Sequence, residues 1–252
     1  MKKAFFLTSV IDLDNNNPLS YSKTRTVFSP LERFHQTVYS LTSINLLDKE
    51  ADIYLIDASD NYSLYRSLLS FQKNLKFISV KEEFPECLET IRNYPNKSHG
   101  EAILITKFLE KYRNSLQNYD YLLKLCGRYY FDSSVDNSIF TENNRNRIFF
   151  KHPLKFEWQS NWNYQDVDLR YKTRDNYIRQ YCSVLYGWGI EQFDSMLELH
   201  KKIMYKTGDP DKIQYDMESL LYFFSRELEK DIIETDWTVL GCNAVGGNLM
   251  RY

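Results

Sequence analysis

Asn118-Tyr119-Asp120-Tyr121-Leu122-Leu123-Lys124-Leu125-Cys126-Gly127-Arg128-Tyr129-Tyr130-Phe131 is the stretch on which the fold turns. It begins as a short apolar run of the kind that forms a strand buried on both faces. Lys124 interrupts the run, and Gly127-Arg128 ends it before three aromatics. An unpaired ammonium in a core is costly, so a buried Lys124 requires a partner. Ligands of open α/β sheets collect beyond the carboxyl ends of strands, which makes Gly127 and Arg128 site candidates. The alternative is a snorkelling Lys and a plain turn.

Upstream, Lys3 to Ile11 reads as a first buried strand, followed by a polar, Asn-rich loop. Ser29-Pro30-Leu31-Glu32 is a capping box with Pro at the first helical position, and Phe34, Val38, Leu41 and Ile44 continue a helical stripe. Asp52 to Ile56 is a second strand, a short helix follows over Leu64–Leu69, and Leu75 to Val80 is a third strand. Such alternation predicts β-α-β units and a mostly parallel, doubly wound sheet. Ser98 and Glu101 stand as N-cap and third residue of a helix from about His99 to Leu116. Downstream, Asp132 to Asn146 reads as a loop or short helix, and Phe149 to Tyr186 as short strands and loops. Two helices, Ile190–Tyr205 and Gln214–Leu228, and a last strand, Ile232–Leu240, lead to a Gly-rich tail.

A chain of 252 residues is long enough for one sizeable α/β domain. Its net charge of −2 offers no field that favours nucleic acid. The four cysteines, Cys87, Cys126, Cys182 and Cys242, are widely spaced, which points to a reducing, cytoplasmic setting without a structural zinc. The N-terminal apolar run reaches Asp12 too early for a signal-peptide core, and no run is long enough to span a membrane. Aromatic residues make up 16% of the chain, which suits either sugar stacking or an aromatic core.

Chemistry is expected at the strand ends. Thr8 and Ser9 close the first strand, and Asp57 and Ser59 the second; a carboxylate with hydroxyls there suits a ribose or a base edge. Asp57 would otherwise form an Asx turn. Neither Gly-x-Gly-x-x-Gly nor a P-loop motif follows the first strand. Arg25, Arg33, Lys124 and Arg128 are the cations near strand ends or helix starts that could meet a phosphate. The bland reading of Arg33 is a solvated helix face, which it fits better, and that of Arg128 a structural pair, which it fits less well than ligand contact. Glu101 reads either as a helix cap or as a carboxylate base. Three Asp-x-Asp triplets, at 12–14, 166–168 and 209–211, all lie away from the end of the central strand.

This order of elements resembles the GT-A-type glycosyltransferases. The resemblance runs over roughly residues 3–131 and rests on Ile56-Asp57-Ala58-Ser59-Asp60 and on the Asn96-Lys97-Ser98-His99-Gly100-Glu101-Ala102 loop before the central strand. The chain is also similar to a smaller group of bacterial surface-polysaccharide glycosyltransferases. That likeness rests on Arg25-Thr26-Val27-Phe28-Ser29-Pro30-Leu31-Glu32-Arg33-Phe34, on Lys124-Leu125-Cys126-Gly127-Arg128-Tyr129, and on Leu240-Gly241-Cys242-Asn243-Ala244. It implies a single GT-A-like (Rossmann-like) α/β domain over 1–252, with a nucleotide-sugar half (1–131) and a partly helical acceptor half (132–252). The implied activity moves a sugar from a nucleotide-activated donor to a glycan or lipid-linked glycan acceptor, for capsule, lipopolysaccharide or lipooligosaccharide, in the cytoplasm or at the inner-membrane periphery. Thr8, Ser9, Arg25, Asp57, Ser59, Gly100, Lys124 and Gly127 would hold the donor, and Trp158, Trp162 and Trp188 would stack on the acceptor. Arg128, with Glu218 or Glu101 as base, would carry the chemistry. Gly127-Arg128-Tyr129 stands where the family has its metal-binding Asp-x-Asp, so no cofactor and no divalent metal are expected. A nucleotidyltransferase or a non-catalytic glycan- or nucleotide-binding module are the alternatives; Asp12-Leu13-Asp14-Asn15 after the first strand, in place of a basic Gly-rich loop, counts against the first.

Overall fold

The structure, a computed structural model, describes residues 1–13, 15–61, 63–65, 74–132, 135–157, 177–210 and 215–252. Its first strand, β1 (Lys3–Ser9), alternates between two cores: Ala4 and Phe6 face one, Phe5 and Leu7 the other. The same period governs β2 (Asp52–Asp57) and the central β4 (Tyr121–Cys126), where Leu122 faces the first core and Leu123 and Leu125 the second. Both faces being apolar, these strands must be covered on both sides.

With β3 (Leu75–Ser79), β6 (Ile148–Lys151), β9 (Leu185–Gly189) and β10 (Ile232–Thr235) they form a seven-stranded sheet of order β10-β6-β9-β4-β1-β2-β3. β3, β2, β1 and β4 are mutually parallel; β9 alone runs against its neighbours β4 and β6, and β10 is parallel to β6. The protein is thus α/β, with a mostly parallel sheet flanked by helices, an arrangement compatible with a Rossmann-like fold.

Helices α1 (Pro30–Leu47), α2 (Val80–Glu83), α3 (Pro85–Asn93), α4 (Lys97–Leu116), α5 (Phe193–Thr207) and α6 (Met217–Ser225) supply the covering layers. One core takes Cys87 of α3, Ile105 and Phe108 of α4, Met196 and Ile203 of α5 and Leu221 of α6. The other takes Leu41 and Ile44 of α1 together with a small antiparallel sheet, β12 (Leu249–Arg251), β11 (Val239–Cys242) and β5 (Tyr129–Phe131). A further pair, β7 (Leu154–Glu157) and β8 (Tyr177–Gln180), stands apart from both sheets.

The capping box at Ser29 and Glu32 is formed as the sequence predicts, with the Glu32 N–H donating to Ser29 Oγ and the Ser29 N–H to the Glu32 carboxylate. Several boundaries differ. Helix α4 starts at Lys97, because the Asn96 side chain, not Ser98, caps it by accepting the Ser98 N–H at 2.9 Å. The expected last strand is two strands in different sheets: Asp236 lies in solvent while Trp237 turns inward onto Phe140 and Phe149, carrying the chain from one sheet to the other. The late helices also start later than expected, α5 after a single 3-10 turn at Ile190–Gln192. In the 132–146 connection the chain forms two 3-10 turns, Asn137–Ile139 and Glu142–Asn144. No helix among the described residues is long and apolar enough to cross a membrane.

Candidate functional site

From β1 the chain order proceeds to β2 and β3 on one side, while β4 lies on the other. Such a switch point leaves a crevice beyond the carboxyl ends of the two central strands. A cleft of about 790 Å³ occupies that end of the sheet, within the roughly 300–1,000 Å³ of small-molecule sites. Its walls are Lys97, Ser98 and Glu101 from the start of α4, Cys126 and Arg128 from the end of β4, and Ser183 before β9. Tyr215, Asp216 and Glu218 at the start of α6 face in, as do Asn243, Ala244 and Tyr252 of the C-terminal segment.

Gly127 sets the position of Arg128. Its N–H donates to Thr8 O at 3.0 Å and its carbonyl accepts from Thr37 Oγ1 at 3.0 Å. A Cβ there would lie 3.2 Å from Thr8 O and 3.3 Å from Ser9 Cβ, so glycine lets the turn press against the end of β1. Arg128, half-buried, makes no hydrogen bond or ion pair among the described residues, and its Nε is buried without a partner. Its guanidinium stands 5.8 Å from the Tyr129 ring. A buried donor left unpaired is costly, and with its place in the cleft wall this makes Arg128 a candidate for ligand contact. The side chain of Lys97, the first residue of α4, is likewise without hydrogen bond or ion pair among the described residues. Repulsion from Arg128, with burial and Arg33 behind it, pushes its ammonium down to about 7.

Lys124 has a different place. Its ammonium is fully buried, 2.5 Å from Glu101 Oε1 and 2.8 Å from Cys126 Sγ, and it also donates to the Ser183 carbonyl. It lines neither the cleft nor the pocket beside it. Burial alone would raise the Glu101 carboxyl, but Lys124, with help from Lys97, holds it down at about 2. The Cys126 thiol, pushed up by burial, donates to Glu101 at 3.3 Å. Thr8 Oγ1 donates to the same carboxylate oxygen at 3.3 Å. Glu101 is therefore an ionised counter-charge, whose low basicity makes it a poor proton acceptor at neutral pH.

Glu218 is its opposite. It sits in the first turn of α6, whose N-cap Asp216 accepts the Ser219 N–H at 2.6 Å. Burial first, then the Asp216 charge, push its carboxyl up to about 7, against the Ser183 hydroxyl that donates to Glu218 Oε1. One wall of the cleft is thus cationic and another carries a carboxyl that changes charge near neutrality.

The remaining expected residues divide. Arg25 and Arg33 are buried and border a small pocket beside the cleft, as do Thr8, Ser9 and Gly100. Gly100 is needed for helix packing: a Cβ there would lie 2.6 Å from Ile91 O of α3. Asp57, 1% exposed, lines neither cavity. Its carboxylate accepts the Ser59 N–H at 2.8 Å and the Tyr65 hydroxyl at 3.1 Å, forming the Asx turn, while Ser59 Oγ accepts from Ile11 N–H at 2.8 Å. Trp188 requires correction: its side chain is fully buried against Phe6, Tyr186 and His200, and a ring without exposed surface cannot stack on an acceptor sugar. Trp158 and Trp162 lie outside the described residues, as do Asp14, Asp166, Asp168 and Asp211 of the acidic triplets. Among the described residues no group of three or more His, Cys, Asp or Glu side chains is placed to hold a metal ion.

Lys97, Ser183 and Asp216 join the site without having stood out in the sequence. Lys97 was open to discovery through its place beside Asn96, the better helix cap; Ser183 carries no local signal, since strand pairing alone brings it to β4. A scan against protein-family models finds no match for this chain, and a search of curated proteins finds none either.

Proposed function

We propose that this protein is a glycosyltransferase of GT-A-like architecture that moves a sugar from a nucleotide-activated donor to a glycan acceptor of a bacterial surface polysaccharide. The observation that carries the reading is the unpaired, half-buried Arg128 in one wall of a cleft whose other wall holds Glu218. In the transfer, Glu218 takes the proton of the acceptor hydroxyl as its oxygen bonds to the anomeric carbon. The bond from that carbon to the donor phosphate breaks, and the electron pair leaves with the phosphate. Arg128 and Lys97 offset the charge that develops there, the work a divalent ion does elsewhere, so the transfer proceeds without one. The cleft draws its cations from the first half of the chain and Glu218 from the second, in keeping with a donor half and an acceptor half. A lipid-linked acceptor would bring the protein to the inner-membrane periphery.

The test is a thermal-shift screen of nucleotides and nucleotide sugars, with and without chelator, followed by turnover of whichever donor binds. A donor at about 100 times its Kd stabilises by about 2.7 kcal/mol, and turnover is expected to survive chelation. Loss of turnover on chelation, with recovery in manganese or magnesium, overturns metal independence. Arg128→Ala is expected to cut turnover by about 10²–10³, and Arg128→Lys to stay impaired because the planar fork is lost. A lower Tm with normal turnover of the folded variant would make Arg128 structural and sink the reading.

A further inference from the structure

Beside the main cleft lies a pocket of about 80 Å³, the share of about three water molecules. Lys97, Glu101, Cys126 and Arg128 line both spaces, so the two adjoin across these side chains. Arg25 and Arg33 line the small one only. Four cations therefore border a space with room for one compact group and no ring. The single carboxylate among its described lining residues, Glu101, is taken by Lys124 at 2.5 Å.

Both inner arginines are held in place by hydrogen bonds, and those that position Arg33 do not neutralise it. Each is 4% exposed. Arg33 Nε donates to Val10 O at 2.5 Å and its Nη1 to Thr26 Oγ1 at 3.1 Å. Arg25 Nη2 donates to Tyr94 O at 2.6 Å, and its Nε to Asn17 O. Uncharged oxygens orient the Arg33 guanidinium but leave its charge standing. Crowding of Arg33, Arg128 and Lys97 raises the free energy of the empty pocket, and an oxyanion relieves it.

We propose that this pocket is a binding site for a compact phosphoryl-type oxyanion, with Lys97 and Arg128 closing on it from the main cleft. The anion is either a phosphoryl group of the nucleotide in the cleft or one phosphoryl group of a free phosphate or pyrophosphate, the rest of which extends into the main cleft. The inference shares its cationic wall with the proposed transfer, and its test reads binding without turnover, so failure of one is distinguishable from failure of the other.

Inorganic pyrophosphate is titrated calorimetrically into the wild type, Lys97→Met and Lys97→Arg. Lys97→Met is expected to weaken binding by about tenfold or more, the worth of one charge-assisted contact, and Lys97→Arg to restore it. The pH arm separates a ligand from a merely structural lysine. Arg128, Arg33, Glu101 and Cys126 are the charged and titratable groups that act on Lys97, and together with burial they leave its pKa at about 7. At about pH 6 the wild type and Lys97→Arg should bind alike. At about pH 8.5 the wild-type lysine must take up a proton to bind, so Lys97→Arg should bind tighter by about tenfold or more. Competition between pyrophosphate and nucleoside mono- or diphosphates assigns the anion to the nucleotide; additive binding assigns it to a free anion. Absence of pyrophosphate binding to the wild type overturns the proposal, as does equal affinity in a folded Lys97→Met variant.

Discussion

At the scale of one residue, the proposed base Glu218 is a carboxyl that its surroundings keep protonated where a free one is ionised. Burial and the neighbouring Asp216 hold its pKa at about 7, above its ordinary 4.5. As a base it must be ionised, so turnover at saturating donor should rise with pH through about 7, while kcat/KM for the donor should fall again above it as free Lys97 loses its proton. Glu218→Gln should cut turnover by about 10²–10⁴ and abolish the rising limb. Stability moves the other way. Between about pH 4.5 and 7 the native carboxyl keeps a proton that the unfolded chain has released, so the wild type loses stability as pH rises through that window. Glu218→Gln escapes this loss and should melt at or above the wild-type temperature above pH 7. A pH–rate profile and melting curves on the same two proteins check both halves; a variant that is both less stable and normally active refutes the assignment.

At the scale of elements, β4 and α4 are joined by one ion pair. The alternation of β4 sends Leu123 and Leu125 to one core and Leu122 and Lys124 toward the other face, where Glu101 waits in the second turn of α4. Taking the carboxylate away leaves a buried ammonium uncompensated. Glu101→Gln is therefore expected to cost about 3–5 kcal/mol. Replacing both partners by apolar residues of similar volume, Glu101→Leu with Lys124→Met, should recover most of the loss, because neither charge is left stranded. Urea unfolding of the three variants measures this. Full stability of Glu101→Gln would show that the pair does not join the two elements.

Acid sensitivity belongs to the whole molecule. His200 of α5 is buried, with Tyr186 OH 3.1 Å from its Nε2, and burial, with Lys124 nearby, pushes its pKa down to about 3 against the opposing pull of Glu101. His99 is also held below its ordinary value by burial. Below about pH 6.5 an unfolded chain protonates His200 while the native state does not until about 3, so its contribution to stability falls as pH drops. His99 adds in the same direction, and Glu218 works against both between about pH 7 and 4.5. Glu101, depressed to about 2, adds its own loss only below about 4.5. His200→Gln, which keeps a polar partner for Tyr186, should gain in urea midpoint relative to the wild type as pH drops from about 6.5 to 4.5 and leave the loss below that window in place. An unchanged slope in that upper window would mean that His200 is not buried neutral.

The sequence by itself determined the elements that follow from periodicity and local chemistry. These are the two-faced apolar strands β1, β2 and β4, the box at Ser29 and Glu32 that starts α1, and the strand end that puts Gly127-Arg128 at the mouth of the sheet. Each is encoded within a few residues, because strand pleat, helix pitch and cap geometry act over that distance. Only the tertiary structure decided what the polar residues do. Lys124 reads as a phosphate ligand until Glu101 is seen beside it, and Trp188 as a sugar platform until Phe6 and His200 are packed on it. Asp57 is a turn former because Tyr65 and the Ser59 N–H take its carboxylate. The last strand divides because Trp237 has a core to enter. Lys97 gains its meaning from Arg128 and Arg33, residues far from it in the chain that the sheet and two helices bring to one wall. Charge and burial act through space, so their sum at a residue is set by the packing of distant segments rather than by its neighbours in sequence.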